Sequence, residues 1–84
     1  MIDAVYVGNL DESTTDAELE SLFVRFAPVK SVRIIRDLST GKSKGFGFVK
    51  LADKKQMKLA AKELNAVKLK GKLLQVSSAM EKKL

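Results

Sequence analysis

The sequence predicts an α+β domain in which two helices cover one face of a four-stranded antiparallel sheet. Four segments alternate apolar and polar residues, as strands do, and two segments repeat apolar residues at helical spacing. Their order is βαββαβ, which the ferredoxin-like arrangement satisfies. Right-handed crossovers would place both helices on the same side, so the other side of the sheet stays open.

The N-terminal third predicts one strand followed by one helix. Residues 4–8 alternate, and the two valines of this segment are expected to face inward. Thr15 and Glu18 have the spacing of a capping box at the start of a helix. The apolar side of that helix is expected to consist of Leu19, Leu22, Phe23 and Phe26. Pro28 is expected to end the helix.

The middle third predicts two strands joined by a short loop. In the first of these strands, Val32 and Ile34 alternate with their neighbours. Residues 38–43 are rich in turn-forming residues, and residues 46–51 predict the next strand. Because the connection is short, the two strands are expected to pair in the antiparallel sense.

The last third predicts a second helix, a turn and a final strand. Asp53 and Gln56 repeat the capping-box spacing. The apolar side of this helix is expected to contain Met57, Ala60, Ala61 and Leu64. Residues 68–72 predict a glycine-containing turn with a short ribbon, and Leu74 and Val76 mark the final strand.

The length and the ends of the sequence predict one domain over residues 1–84. Its core is expected to cover about residues 4–79, followed by a short basic tail at residues 80–84. Lys82 and Lys83 in this tail are a further candidate for phosphate contacts, which the sequence leaves open.

The composition argues against catalysis and against a metal site. The chain has no cysteine and no histidine, so it lacks the commonest zinc ligands and the commonest general base. The segment Gly41-Lys42-Ser43 resembles the end of a P-loop, but Arg36 occupies the position of the first glycine. No stretch approaches the roughly 20 apolar residues of a membrane span. We therefore expect an intracellular, soluble protein with no enzymatic activity, no cofactor, no metal and no membrane partner.

The charge is distributed unevenly along the chain. Residues 1–28 carry six acids and one base, whereas residues 29–84 carry fifteen bases and four acids. This asymmetry indicates a polyanionic partner, although a lysine-rich solvated face is an alternative that charge alone does not exclude. The lysines of the second helix are expected to form such a solvated face; they are Lys54, Lys55, Lys58 and Lys62.

The third strand places aromatic residues on the uncovered face. By period 2, this face receives Lys44, Phe46, Phe48 and Lys50, and the covered face receives Gly45, Gly47, Val49 and Leu51. The glycines are expected to let a helix approach closely. Tyr6 of the first strand points the same way as the two phenylalanines. Three aromatic rings beside two lysines predict a platform on which nucleic-acid bases stack, each contributing about 1–3 kcal/mol.

The same residues resemble the signatures of the RNA-recognition-motif family. Residues 44–51 match the longer signature at seven of eight positions, and residues 5–10 resemble the shorter one. Leu51 departs from the signature, but it is expected to face the core. Ala66 stands where the family usually has glycine after the second helix, and Ala27-Pro28 replaces an aromatic-glycine pair.

The resemblance implies a set of RNA-contacting residues. Tyr6 and Phe48 would each stack a base, Phe46 would pack on a sugar or a second base, and Lys44 would pair with a phosphate. Arg33, Gln75 and Ser77 would meet the RNA at its edges. The complete set of expected contacts is Tyr6, Asn9, Arg33, Lys42, Lys44, Phe46, Phe48, Lys50, Gln75 and Ser77.

The sequence thus predicts a monomeric module that binds two to four nucleotides of single-stranded RNA. Single-stranded DNA is an alternative ligand, because stacking does not distinguish the two nucleic acids. A protein partner or a second copy on the same aromatic face is an alternative from another class. A small-molecule sensor would rest on fold analogy alone.

Overall fold

The computed structural model describes residues 4–79 of the chain. The elements in chain order are β1 (Ala4–Gly8), α1 (Asp16–Phe23), β2 (Val29–Arg36), β3 (Ser43–Leu51), α2 (Lys54–Leu64), β4 (Lys68–Leu69), β5 (Lys72–Leu73) and β6 (Gln75–Ala79). The expected basic tail, with Lys82 and Lys83, lies outside the described residues.

The sheet has the topology that the element order predicts. Its four strands are arranged β2-β3-β1-β6, and every neighbouring pair is antiparallel. The predicted ribbon is also present, since β4 and β5 pair with each other apart from the main sheet. The two central strands, β1 and β3, are the ones that carry the aromatic residues of the open face.

Helix α1 begins as predicted but ends earlier than predicted. Thr15 accepts a hydrogen bond from the Glu18 amide at 3.2 Å, and the Glu18 carboxylate accepts one from the Thr15 amide at 2.9 Å. The expectation that Pro28 ends the helix is wrong, because the helix already ends at Phe23. The Phe26 amide turns back to the Phe23 carbonyl at 2.9 Å, an i→i+3 bond that tightens the chain.

Helix α2 has a different N-terminal cap from the one predicted. Asp53 is the N-cap, but its carboxylate accepts from the Lys55 amide at 2.8 Å, so the capping box predicted with Gln56 is wrong in its pairing. Beyond the helix, Ala66 has a φ of 70°, and its amide donates to the Leu74 carbonyl at 2.8 Å. The chain thus turns from α2 into β4 through a left-handed alanine.

The core lies between the sheet and the two helices. Helix α1 packs mainly against β2, and α2 packs mainly against β6 and β1. The inward residues of β1 and β3 and the apolar faces of both helices are buried as predicted, namely Val5, Val7, Val49, Leu51, Leu19, Phe23, Met57, Ala60, Ala61 and Leu64. Leu22 and Phe26 pack against this core while staying partly exposed. Each large buried side chain contributes about 1.5–3 kcal/mol.

The two glycines on the covered side of β3 have other roles than the one predicted. A Cβ at Gly47 would lie 2.5 Å from the Arg33 carbonyl oxygen, so this glycine accommodates the backbone of β2. Gly45 has a φ of 86°, and its carbonyl accepts from the Leu10 amide at 2.9 Å. The expectation that they let a helix approach is therefore wrong, because the nearest atoms belong to a strand and a loop.

Candidate nucleic-acid interface

The strand register places four candidate residues in one row across the open face. Arg33 of β2 pairs with Phe48 of β3, Phe48 pairs with Tyr6 of β1, and Tyr6 pairs with Ser77 of β6. Paired residues share a face, and neighbouring strands lie about 4.8 Å apart. The row therefore consists of a cation, two adjoining aromatic rings and a hydroxyl group.

The three aromatic rings form a triangle. The ring centroids of Tyr6 and Phe48 are 5.8 Å apart, those of Tyr6 and Phe46 are 6.1 Å apart, and those of Phe46 and Phe48 are 6.3 Å apart. All three side chains are half-buried. The edge-to-face packing of Phe48 against both other rings fixes its orientation while part of its surface stays open.

The Tyr6 ring leans along β1 over Gly8. A Cβ at position 8 would lie 2.6 Å from the Tyr6 hydroxyl oxygen and 2.9 Å from the ring. Gly8 itself pairs with Phe46 on one side and with Gln75 on the other. The second row of the face thus consists of Phe46, Gly8 and Gln75, and the Tyr6 ring fills the space above Gly8. The sequence reasoning missed this role of Gly8, although two residues separated by one share a face of a strand.

Two cations lie beside the aromatic triangle, on the side of β2. Lys50 pairs with Ser31 in the row next to Phe48, and Arg33 lies beside Phe48. Lys44 is exposed on β3, but the β2–β3 register shifts between the Ile34–Gly47 and Arg36–Ser43 pairs, so strand alternation does not assign Lys44 to this face. None of the described strand residues that share this face is acidic. The face is therefore electropositive at its margin and aromatic at its centre.

A hollow of about 320 Å³ lies beside the aromatic triangle, toward β2. It is lined by Ala4, Ser31, Arg33, Ile35, Phe48 and Lys50. Sequence reasoning selected Arg33, Phe48 and Lys50 as contacts but not the serine and the isoleucine. Ser31 lies two residues before Arg33, and Ile35 lies two residues after it. This spacing identifies both as neighbours of Arg33, since alternate residues of a strand share a face.

Asn9 does not join the two rows of the platform. Its φ is 58°, and its Nδ2 donates to the Leu73 carbonyl at 2.7 Å. The next residue, Leu10, is buried and donates its amide to Gly45. Asn9 therefore ties the end of β1 to the β4–β5 ribbon, and its amide group already has a backbone partner.

Lys42 lies in the β2–β3 loop, which Asp37 organises. The Asp37 carboxylate accepts from the amides of Ser39 at 2.8 Å and Thr40 at 3.1 Å. The Asp37 amide donates to the Lys42 carbonyl at 2.8 Å, which closes the loop. The backbone hydrogen bond from Thr40, followed by that from Ser39, lowers the pKa of Asp37. The loop thus presents an exposed Lys42 side chain from an ordered backbone.

The ribbon is also fixed at its tip, on the side of α1. Lys70 pairs with Glu18 at 3.0 Å and donates to the Ser13 carbonyl at 3.0 Å. The backbone hydrogen bond from Thr15, and then the bond from Lys70, lower the pKa of Glu18. In the neighbouring loop, the Ser13 hydroxyl lowers the pKa of Asp11. Asp11 thus contacts Ser13, and Glu18 contacts the α1 N-cap and the ribbon. Neither acid belongs to the two rows of the open face.

Two further features are absent from the described part of the chain. Residues 4–79 contain no group of three or more acidic, histidine or cysteine side chains placed to hold a metal ion. None of the helices in this range is long and apolar enough to cross a membrane.

Comparison with known sequences agrees with this geometry. The sequence model of the family described as RNA recognition motif matches residues 5–75. The glycine-rich RNA-binding protein 10 of Brassica napus is 44% identical over 77 residues, which are 92% of this chain and 46% of that protein. The chloroplastic 29 kDa ribonucleoprotein A of Nicotiana sylvestris is 40% identical over 74 residues, 88% of this chain and 27% of that protein. The chain thus spans less than half the length of these curated relatives.

Solved structures share the fold over nearly the whole chain. The crystal structure of RNA binding protein PG1 superimposes with a TM-score of 0.88 at 35% identity, covering 99% of this chain and 100% of that one. The structure described as the Sxl-lethal protein/RNA complex superimposes with a TM-score of 0.87 at 35% identity, covering 95% of this chain and 48% of that one.

Proposed function

Because this chain belongs to the RNA recognition motif family, we propose that it binds single-stranded RNA across the open face of its sheet, without catalysis. The observation that carries the proposal is the row formed by Arg33, Phe48, Tyr6 and Ser77. Two aromatic rings at 5.8 Å stand between a cation and a hydroxyl group, on a face that no described element covers.

The row supports a binding mode with one base on each central ring. Bases stack on Tyr6 and on Phe48, and Phe46 packs against the sugar or base that follows. Gln75 and Ser77 supply hydrogen-bonding groups at the β6 edge, where both side chains are exposed. Two to four stacked nucleotides at about 1–3 kcal/mol each, less the cost of ordering the strand, give a modest affinity.

The cations supply the charge that a phosphate backbone requires. Lys44 and Lys50 flank the phenylalanines on β3, and Arg33 lies at the β2 margin. The hollow next to Phe48 is lined by apolar side chains together with two cations, Arg33 and Lys50, which suits a base whose phosphate stays at the rim. Neutralising three or four phosphates predicts that log K falls with log salt at a slope of roughly −2 to −3.

The alternative use of this face for a protein partner is not favoured by the relatives or by the solved structures. We propose that the unit works as a monomer, with the aromatic face left for RNA. Sedimentation of the free protein tests this point, since a dimer that hides Phe46 and Phe48 would contradict it.

The function is tested with labelled oligomers of about eight nucleotides, in RNA and DNA versions of one mixed sequence. Phe48→Leu keeps an apolar side chain and removes the aromatic face, so we expect about a five- to hundredfold loss of RNA affinity. Val24→Ala, an exposed change directly after α1, is the matched control and should leave the affinity unchanged. Equal RNA affinity of Phe48→Leu and the parent would contradict the proposal. Comparison with the DNA oligomer determines which nucleic acid is preferred.

A further inference from the structure

Small residues line the hollow beside Phe48, whereas the two rows of the open face carry aromatic rings. Ser31 pairs with Lys50 in the row next to Phe48, and Ala4 lies two residues before Tyr6 on β1. These short side chains leave room above the strands for a ligand. With a volume of about 320 Å³, the hollow lies at the lower end of the range for small-ligand sites, which is about 300–1,000 Å³, and suits a single base.

Strand β2 is irregular at both ends of this hollow. Its pairing with β3 shifts register between Val29 and Ser31 and again between Ile34 and Arg36. Ser31 directly follows the first shift, and Ile35 lies within the second. Both residues line the hollow. Such irregularities re-aim side chains and are frequent beside functional sites, so the course of β2 is consistent with a ligand site here.

The polar side chains of the hollow are available to a ligand, and most of their groups are hydrogen-bond donors. Within residues 4–79, the side chains of Ser31, Arg33 and Lys50 form no hydrogen bond or ion pair. A guanidinium group carries five N–H donors in a fixed fork, an ammonium group carries three, and neither has an acceptor. Of the three groups, only the serine hydroxyl can also accept. The hollow is therefore complementary to a ligand edge that presents acceptors.

We propose that this hollow is a guanine-selective subsite, in which Arg33 hydrogen-bonds to the base edge and Lys50 pairs with the phosphate. The inference rests on the proposed function, because the aromatic face is what brings an RNA base against Phe48. Ile35 and Ala4 supply further apolar surface for the base ring. The two cations of the hollow thus have different partners on one nucleotide.

The chemistry of the base edges favours guanine over the other bases. Guanine presents O6 and N7 as two adjacent acceptors, which match the guanidinium fork of Arg33. Adenine presents an amino donor beside N7, and this donor would face the cations. A pyrimidine has a single ring, so it would leave more of the hollow unfilled.

Base selection is measured with pools of RNA of about four nucleotides, each with one fixed base at one position and mixed bases elsewhere. We expect the parent protein to bind the guanine pool about five- to tenfold more tightly than the adenine pool at one position. Arg33→Gln should reverse this preference, because a glutamine amide pairs with N6 and N7 of adenine. Loss of charge alone would not reverse a preference between two bases.

Arg36→Gln is the matched control for the lost charge. It removes the same charge from the same strand, and Arg36 is exposed but does not line the hollow. Any loss of affinity should therefore be shared by all pools, and the preference for guanine should remain.

Ser31→Leu tests the space of the hollow while Arg33 stays in place. The larger side chain fills the site, so binding of the guanine pool should fall about five- to tenfold and the selection should disappear. Ser31, Arg33 and Arg36 are all exposed, so urea unfolding should place the three variants close to the parent.

The outcomes separate this inference from the proposed function. Loss of guanine selection in Arg33→Gln but not in Arg36→Gln supports the subsite. Equal weakening of all pools by Arg33→Gln, or selection of another base by the parent, overturns it while the platform stands. Guanine selection that survives Ser31→Leu also overturns it, because the base would then lie elsewhere. Failure of the parent protein to bind any pool contradicts the proposed function itself.

Discussion

The hydroxyl oxygen of Tyr6 lies 2.6 Å from the position that a Cβ on Gly8 would occupy. The two residues belong to the same strand and the same face, so the ring rests on the backbone of Gly8. This contact holds the ring close to Phe46 as well as to Phe48, at 6.1 and 5.8 Å between centroids. The shape of the aromatic platform thus depends on a residue that contributes no side chain.

We predict that Gly8→Ala weakens RNA binding by about five- to hundredfold, the range expected when one stacked base is lost. The new methyl group meets the far end of a flexible side chain, so the ring turns away while the fold loses less than about 1 kcal/mol. Tyr6 is the single tyrosine of a chain without tryptophan, so tyrosine fluorescence reports its environment directly.

Gly71→Ala is the matched control for this substitution. Gly71 lies at the ribbon tip, with a φ of 81° and open space around its Cβ position. Alanine there strains the backbone without touching the aromatic platform, so it should lower stability and leave tyrosine fluorescence unchanged. Unchanged fluorescence and RNA affinity in Gly8→Ala would show that the platform tolerates a side chain at position 8.

Asn9 is predicted to act on stability more than on RNA affinity. Asn9→Ala loses the bond to the Leu73 carbonyl and places alanine at a φ of 58°, so we expect a loss of about 2 kcal/mol. Asn9→Gly loses the bond but tolerates the backbone, so its loss should be about 1 kcal/mol. Chemical denaturation measures both values. A large loss of RNA affinity in the folded Asn9→Gly protein would instead indicate a direct RNA contact.

Ala66→Gly is predicted to stabilise the protein by about 1 kcal/mol. Ala66 adopts a φ of 70°, a left-handed conformation in which an L-residue with a Cβ is strained and glycine is not. Ala17→Gly, in the exposed face of α1, is the opposite control and should cost about 1 kcal/mol. The urea concentrations at the unfolding midpoints of the two variants should therefore shift in opposite directions from that of the parent. Destabilisation by Ala66→Gly would contradict the strain at this residue.

Asp37 is predicted to make stability depend on acid pH through the β2–β3 loop. Its carboxylate accepts backbone hydrogen bonds from Thr40 and Ser39, which lower its pKa from 3.8. A lowered folded-state pKa means that the charged group stabilises the fold above pH 3.8, and that this contribution is lost as pH falls through the folded value. Asp37→Asn keeps an oxygen acceptor and removes the titration.

The measurement is urea unfolding of the parent and Asp37→Asn across this pH range. The difference in unfolding free energy between them should be largest near neutral pH and should shrink as pH falls below 3.8. This difference isolates Asp37 from Asp11 and Glu18, whose pKa values are also lowered. A difference that stays constant with pH would contradict the role of the Asp37 charge.

Much of the fold follows from sequence periodicity, because strand and helix patterns are local. The alternation around Tyr6 predicts both β1 and the outward direction of its ring, and the Thr15–Glu18 spacing predicts the start of α1. The end of α1 did not follow in the same way. Backbone hydrogen bonds close the turn after Phe23, and their formation depends on how the chain packs on the sheet, whereas Pro28 gives only an outer limit.

The parts of the interface that depend on contacts between strands could not be predicted. Period 2 assigns Gly47 to the covered side, but only the register shows that the Arg33 carbonyl, on β2, occupies its Cβ space. The Asn9 contact with Leu73 joins residues 64 positions apart, which no local pattern reveals. The hollow beside Phe48 likewise requires three strands in register.

The central claim, that RNA lies on the open sheet face, is tested most directly by ¹⁵N–¹H NMR with an RNA of about four nucleotides. We predict that the amide shifts that change most belong to the rows around Tyr6, Phe48 and Ser77, that α1 stays unperturbed, and that Phe48→Leu abolishes most of the changes. Shifts confined to the helices, with the β1 and β3 amides unaffected at low salt, would contradict the account.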